Sequence, residues 1–151
     1  MKLTWATAAQ APAMASAHAQ AFDAPWREDE FEDLLDGEGI FGFVAEDDDP
    51  LGVVLCRTAA GEMEILTLGV APWARRRGVA RALLTAALGA ARQARVAEAF
   101  LEVAIDNDAG CALYEGFGFR RAGFRRAYYD RGAAGRADAL VMRLDLSAIA
   151  P

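Results

Sequence analysis

Apolar side chains recur with two different periods along this chain, and each period predicts one kind of element. Across residues 78–95 they return every three or four positions, which predicts a helix. Across residues 99–105 they alternate with polar or small side chains, which predicts a strand with two unlike faces. Clusters of glycine, proline and aspartate, such as Asp47–Pro50, interrupt these stretches and predict turns.

The same patterns predict one α+β domain over residues 1–151, with a mixed sheet. Strands are predicted at Lys2–Ala6, Ile40–Glu46, Leu51–Thr58, Glu62–Val70, Ala99–Ile105, Phe119–Tyr129 and Asp138–Leu146. Helices are predicted at Ala8–Ala21, Arg27–Leu35, Gly78–Arg95 and Asp108–Phe117. The strands between residues 40 and 70 follow one another through short turns and should form an antiparallel meander. A loop is predicted at Asp130–Ala137, which is rich in glycine and alanine.

Composition and charge narrow the classes of function. A chain of 151 residues with 54% hydrophobic residues is long enough for one sizeable core. No apolar run is long enough to span a bilayer, and Met1–Gln20 lacks the apolar segment of a signal peptide, so we expect a cytoplasmic protein. The net charge of −6 argues against a nucleic-acid binder. The acidic stretches predict a solvated face, with attraction of a cationic substrate as the alternative.

Few residues offer nucleophilic or metal chemistry. Cys56 and Cys111 have no metal-like spacing, so we expect two reduced thiols and no disulfide. The single histidine, His18, would have to serve any Ser-His-Asp or Cys-His mechanism, and no metal site is predicted.

The segment 68–84 carries the clearest chemistry, because a strand ends there, a basic loop follows and a helix begins at Gly78. The first turn of a helix has backbone N–H groups without partners, and the helix dipole adds positive potential. A diphosphate suits both features, and a glycine lets it approach the backbone. Arg75–Arg77 add guanidinium donors. The alternative is a basic loop before an ordinary helix.

The run Arg75–Ala80 fits the signature of the GNAT superfamily, which is Gln or Arg, two residues, Gly, one residue, then Gly or Ala. Further segments resemble the bacterial ribosomal-protein-alanine N-acetyltransferases, in the order of that family. They are Phe22–Trp26, Thr67–Leu84, Leu101–Val103 with Asn107, Ala112–Glu115 with Gly118–Phe119, Arg125–Arg126 with Tyr128–Tyr129, and Asp138–Met142. The resemblance implies a GNAT fold, whose mixed, mostly antiparallel sheet has two splayed parallel strands and flanking helices. It also implies acetyl-coenzyme A (acetyl-CoA) as co-substrate and a protein N-terminal amine as acceptor.

The resemblance further implies roles for individual residues. Glu102 matches the general base of the family and Tyr114 its general acid. The residues that match its acetyl-CoA site are Leu68, Gly69, Val70, Arg76, Arg77, Gly78, Val79, Ala80, Arg81 and Asn107.

The residues themselves leave alternatives open. A carboxylate at Glu102, between apolar neighbours, is costly to bury in its charged form, which suits a base, but it could instead be salt-bridged to an arginine. Glu64, on the strand before the basic loop, is the competing base. Tyr114 could protonate a departing thiolate or pack in the core. A backbone N–H near Gly69 or Val70 could stabilise the oxyanion, and a bulge in that strand would free such groups from ladder bonding.

Two other functions also remain open. One is a GNAT enzyme that acetylates a small amine, such as a polyamine, an amino acid or an antibiotic. The other is a non-catalytic module that binds acyl-coenzyme A as a sensor. The sequence does not determine the oligomeric state.

Overall fold

The computed structural model describes residues 1–130 and 136–147, and it contains a seven-stranded sheet of order β1-β2-β3-β4-β5-β7-β6. The strands are β1 Lys2–Trp5, β2 Ile40–Glu46, β3 Pro50–Ala59, β4 Glu62–Val70, β5 Glu98–Ala104, β6 Arg120–Asp130 and β7 Arg136–Asp145. The helices are α1 Ala11–Ala21, α2 Glu28–Leu35, α3 Val79–Gln93 and α4 Asp108–Gly116, with 3₁₀ turns at Ala8–Gln10 and Pro72–Ala74.

The predicted elements are all present, and most of their ends move by only one or two residues. One helix differs in kind. The predicted helix Ala8–Ala21 begins as the 3₁₀ turn, where Thr7 and Gln10 form a capping box, and Pro12 then stands at the start of α1. The strands on either side reach into the predicted loop Asp130–Ala137, because β6 ends at Asp130 and β7 begins at Arg136. Residues 131–135 lie outside the described residues.

Helices cover both faces of the sheet, so β3 is buried on both sides. Val53 and Leu55 belong to a buried cluster with α1 and α2, whereas Val54 and Cys56 belong to the cluster that contains the apolar face of α3. Side chains alternate along a strand, so consecutive residues of β3 supply the two cores. None of the helices within residues 1–130 and 136–147 is long and apolar enough to cross a bilayer.

The parallel pair β4 and β5 separates partway along its length. Pairing runs from Glu62 opposite Glu98 to Ile65 opposite Leu101, and then stops. β4 continues to Val70 and β5 to Ala104, so the two strands leave a gap beyond their last pair. The predicted α+β sheet with splayed parallel strands is therefore confirmed.

β4 does contain a bulge, and it lies at Leu66 rather than at Gly69. Leu55 is opposite Thr67 and Cys56 is opposite Ile65, which leaves Leu66 as the extra residue. Gly69 pairs in regular register with Val53. Glycine is needed at position 69 for a steric reason, because a Cβ there would come within 2.6 Å of the Phe22 ring.

Candidate active site

The backbone of β4 faces the gap at alternate residues. The Ala71 N–H donates to the Leu51 carbonyl at 2.8 Å, so that pair is hydrogen-bonded across β3 and β4. Hydrogen-bonded and non-hydrogen-bonded pairs alternate in an antiparallel ladder. The N–H and C=O groups of Val70 and Leu68 therefore point away from β3, toward the gap. The Val70 carbonyl accepts a bond from the Arg75 guanidinium at 3.3 Å.

The N-terminus of α3 opens toward the same gap. Gly78 is in the left-handed region, with φ of 76°, and its carbonyl accepts the first helical bond, from the Ala82 N–H at 3.0 Å. The N–H groups of Val79, Ala80 and Arg81 precede that bond, and α3 has no side-chain hydrogen-bond cap in the described structure. A Cβ built on Gly78 would have no atom within 4 Å, so the space in front of this turn is open.

A cavity of about 590 Å³, which we call the α3 cavity, joins this helix start to β4. Its wall includes every residue predicted for the acetyl-CoA site except Arg77, namely Leu68, Gly69, Val70, Arg76, Gly78, Val79, Ala80, Arg81 and Asn107. The Arg77 guanidinium instead lies over the Trp73 ring, 5.9 Å from its centroid. Arg75, one of the loop arginines expected to add guanidinium donors, also lines the cavity.

A second cavity of about 630 Å³, which we call the β5 cavity, lies on the α1 side of the gap. Glu102 forms part of its wall because it is the first residue of β5 beyond the last pair with β4. The Glu102 side chain is 12% exposed, and its Oε1 accepts a bond from Arg125 at 2.9 Å. Glu102 thus combines both open interpretations, a salt-bridged carboxylate and a carboxylate that lines a cavity.

Glu64, the competing base, lies elsewhere. It is opposite Phe100 in the paired part of β4 and β5, before the gap begins. Its carboxylate forms an ion pair with Arg57 at 3.0 Å, and it is not among the described residues that line the two cavities.

The two cavities meet at a junction to which Leu68, Arg75, Asn107 and Tyr114 contribute, since these residues line both. Tyr114 is 8% exposed and packs edge-on against Phe119 at 5.8 Å between ring centroids, so it belongs to the core and to both walls. The Asn107 side-chain oxygen accepts from the Gly110 N–H at 2.9 Å and caps α4. The structure thus brings the predicted base, acid and amide together around one gap.

His18 also lines the β5 cavity, and sequence reasoning did not find a role for it. Its Nδ1 accepts from the Trp26 N–H at 3.0 Å, so the neutral ring carries its proton on Nε2 and donates to the Thr67 hydroxyl at 3.0 Å. Burial lowers the pKa of His18 to about 4, and the negative charge of Glu30 opposes that shift. Such a ring is neutral at physiological pH and is a poor acceptor for a proton from an amine.

Comparison with known proteins identifies the family. Residues 9–119 match the acetyltransferase (GNAT) family. The [ribosomal protein bS18]-alanine N-acetyltransferase of Escherichia coli is 33% identical over 124 residues, which is 82% of each chain. The N-alpha-acetyltransferase RimI of Mycobacterium tuberculosis is 46% identical over 91 residues, and the match covers 60% of this chain and 54% of that relative.

A solved structure extends the likeness to the whole fold. The ribosomal-protein-S18-alanine N-acetyltransferase of Escherichia coli superposes with a TM-score of 0.88 at 30% identity, over 99% of this chain and 96% of that one. Both the sequence match and the superposition cover the gap between β4 and β5 together with α3. The chain therefore belongs to the acetyltransferase (GNAT) family, and the predicted family, fold, enzyme class and acetyl-CoA co-substrate are confirmed.

Proposed function

We propose that this chain, acting as one domain over residues 1–151, acetylates the N-terminal α-amine of a protein, and that its acceptor is a ribosomal protein that begins with alanine. The observation that carries the proposal is the junction at Leu68, Asn107 and Tyr114, where a cavity with a helix N-terminus meets a cavity with a carboxylate. The names of the Escherichia coli relatives support the choice of acceptor.

The α3 cavity suits acetyl-CoA. Its open helix start and the guanidinium groups of Arg76 and Arg81 favour a pyrophosphate, and Gly78 leaves the approach clear. The gap-facing backbone groups of Leu68 and Val70 suit the amide groups of the pantetheine arm, and Asn107 adds a side-chain amide. Arg77 is left out of this set because its guanidinium packs on Trp73.

The roles of the side chains follow from what acetylation of an amine requires. Acetyl-CoA supplies an acetyl group activated as a thioester, and the attacking amine must be neutral. A free α-amine has a pKa near 8, so at neutral pH a base is useful and its task is modest. Glu102 accepts the proton of the amine from the wall of the β5 cavity. Tyr114, at the junction, donates a proton to the sulfur that leaves.

We also propose a cytoplasmic location. Acetyl-CoA and ribosomal proteins are both available there, and the two thiols, Cys56 and Cys111, are free in the structure.

An acceptor panel tests the proposal. The protein is incubated with acetyl-CoA and a peptide that copies the alanine-initiated start of ribosomal protein bS18 from the same genome, and the products are read by mass spectrometry. The matched control is the same peptide with a formylated N-terminus, and a parallel set contains polyamines, amino acids and aminoglycosides. We expect one acetyl group on the free α-amine only. Turnover confined to a small amine would replace this proposal, and absence of turnover with every amine would favour a binding module.

We expect Tyr114→Phe to lower kcat about tenfold or more at saturating acetyl-CoA, because it removes the proton donor for the departing sulfur. The phenyl ring keeps the edge contact with Phe119, so the melting temperature should change little. Steady-state rates at varied acetyl-CoA separate kcat from KM. Wild-type turnover in this variant would assign Tyr114 to the core alone.

A further inference from the structure

We propose that His18 is a positioning residue for the acceptor, which holds the segment between α1 and α2 against β4 and thereby shapes the β5 cavity. This inference rests on the proposed function, because it takes the β5 cavity to be the acceptor site. It assigns a role to the one histidine of the chain that differs from acid–base catalysis.

The two ring nitrogens of His18 connect three parts of the fold. His18 belongs to α1 and is 3% exposed. Its Nδ1 accepts the N–H of Trp26, in the segment that leads into α2, and its Nε2 lies 3.0 Å from the hydroxyl of Thr67 on β4. Thr67 stands between the bulge at Leu66 and the gap-facing backbone of Leu68. The imidazole thus links the segment before α2 to the part of β4 that borders both cavities.

Aromatic packing restricts the same ring. The ring centroids of Phe22, Trp26 and Phe31 lie 4.3, 5.1 and 5.4 Å from that of His18, and the Trp26 ring is stacked on it. A side chain with two hydrogen bonds and three ring neighbours has little freedom to rotate. Trp26, which lines the β5 cavity, is thus held to this restricted ring by stacking and by its N–H bond.

The charge state of His18 matches this structural role. The Trp26 N–H can donate to Nδ1 only while that nitrogen is unprotonated. Burial, which lowers the pKa of the ring to about 4, keeps it in that state throughout the neutral range. The neutral ring with its proton on Nε2, which Trp26 and Thr67 both require, is thus the form present at neutral pH.

The location of these residues separates an acceptor effect from an acetyl-CoA effect. His18, Trp26 and Thr67 line the β5 cavity, and none of them is among the described residues that line the α3 cavity. Loss of the His18 contacts should therefore raise the KM for the acceptor peptide and leave the KM for acetyl-CoA within about twofold. A purely structural role would lower stability and change both constants or neither.

The test compares variants that keep one partner or the other. His18→Leu removes both bonds and should raise the peptide KM about tenfold, which is about the size of one lost buried hydrogen bond. His18→Asn places an amide oxygen near the position of Nδ1, can still accept from Trp26 and should recover most of that loss. Thr67→Val keeps the imidazole and its bond to Trp26 and, like His18→Asn, should raise the peptide KM less than His18→Leu does. In each variant kcat at saturating peptide should stay within about threefold of wild type.

Amide hydrogen exchange at Trp26 provides a readout that does not depend on the acceptor. We expect faster exchange in His18→Leu than in the wild type, and protection close to wild type in His18→Asn. Faster exchange with an unchanged peptide KM, or equal changes in the two KM values, would overturn the positioning role. A wild-type protein that protects Trp26 but acetylates no peptide would instead refute the proposed function. If His18→Leu does not fold, His18→Asn and Thr67→Val still decide. A wild-type peptide KM in Thr67→Val together with a tenfold rise in His18→Asn would contradict the expected KM values and overturn the positioning role.

Discussion

Glu102→Gln is expected to lower kcat about 100-fold at pH 7, with an unchanged affinity for acetyl-CoA. The substitution keeps the size of the side chain and an oxygen that can accept from Arg125, but it removes the carboxylate that we propose takes the proton of the amine. The loss should shrink above pH 8, where the α-amine is neutral without help. Rates measured from pH 6.5 to 10 at saturating acetyl-CoA, with affinities from calorimetry, check both expectations.

Two control variants separate catalysis from charge pairing. Glu64→Gln breaks the ion pair with Arg57 outside the cavities and should keep near-wild-type kcat. Arg125→Met removes the guanidinium that Glu102 contacts and leaves the carboxylate in place. If Arg125→Met costs as much rate as Glu102→Gln, with the same pH profile, the ion pair matters and the base role of Glu102 is lost. A large loss in Glu64→Gln alone would move that role to Glu64.

Gly78→Asp is expected to weaken the binding of acetyl-CoA about 100-fold. A carboxylate at this position faces the open helix start of α3, where the pyrophosphate is proposed to bind. Repulsion between like charges a few ångströms apart near a protein surface is about 3–4 kcal/mol, which corresponds to at least a hundredfold in affinity. Calorimetric titration with acetyl-CoA at low and high salt measures the loss, and high salt should reduce it.

Gly78→Asn is the matched control because it has the same shape without the charge. Aspartate and asparagine both tolerate the left-handed conformation that Gly78 adopts, with φ of 76°, so strain affects the two variants alike. We expect the asparagine variant to bind acetyl-CoA within about fivefold of wild type. Equal and small losses in both variants would place the pyrophosphate somewhere other than the start of α3.

Most of the fold could be predicted from the sequence, because the signals that define its elements are local. The period of apolar residues across 78–95 and the turn residues between the strands act within short stretches of chain, so the predicted and observed elements largely coincide. The helix start is also a local feature, since Gly78 is the N-cap residue in the left-handed region and α3 has no side-chain hydrogen-bond cap in the described structure. Strand ends depend on neighbouring strands, and there the predictions shifted, whereas the 3₁₀ start of α1 was missed although the local residues Thr7, Gln10 and Pro12 account for it.

The sequence could not predict the place of a site residue wherever that place depends on how the strands pair. Glu64 and Glu102 are similar carboxylates on neighbouring strands, and only the end of pairing at Ile65 and Leu101 places one before the gap and the other beside it. The bulge at Leu66 likewise depends on the register between β3 and β4. Arg77 looked equivalent to Arg76 in the basic loop, but its guanidinium lies over Trp73 and it is not among the described residues that line the α3 cavity.

The sequence by itself determined the order of elements and the basic, uncapped start of α3, because periodicity and helix-end chemistry are properties of contiguous residues. Only the tertiary structure decided which carboxylate lines the β5 cavity and why His18 is buried. The partner of His18, Thr67, is 49 positions away in the chain. Contacts over such distances exist only once the sheet has set its register, since a shift of one residue turns every side chain of a strand to the other face.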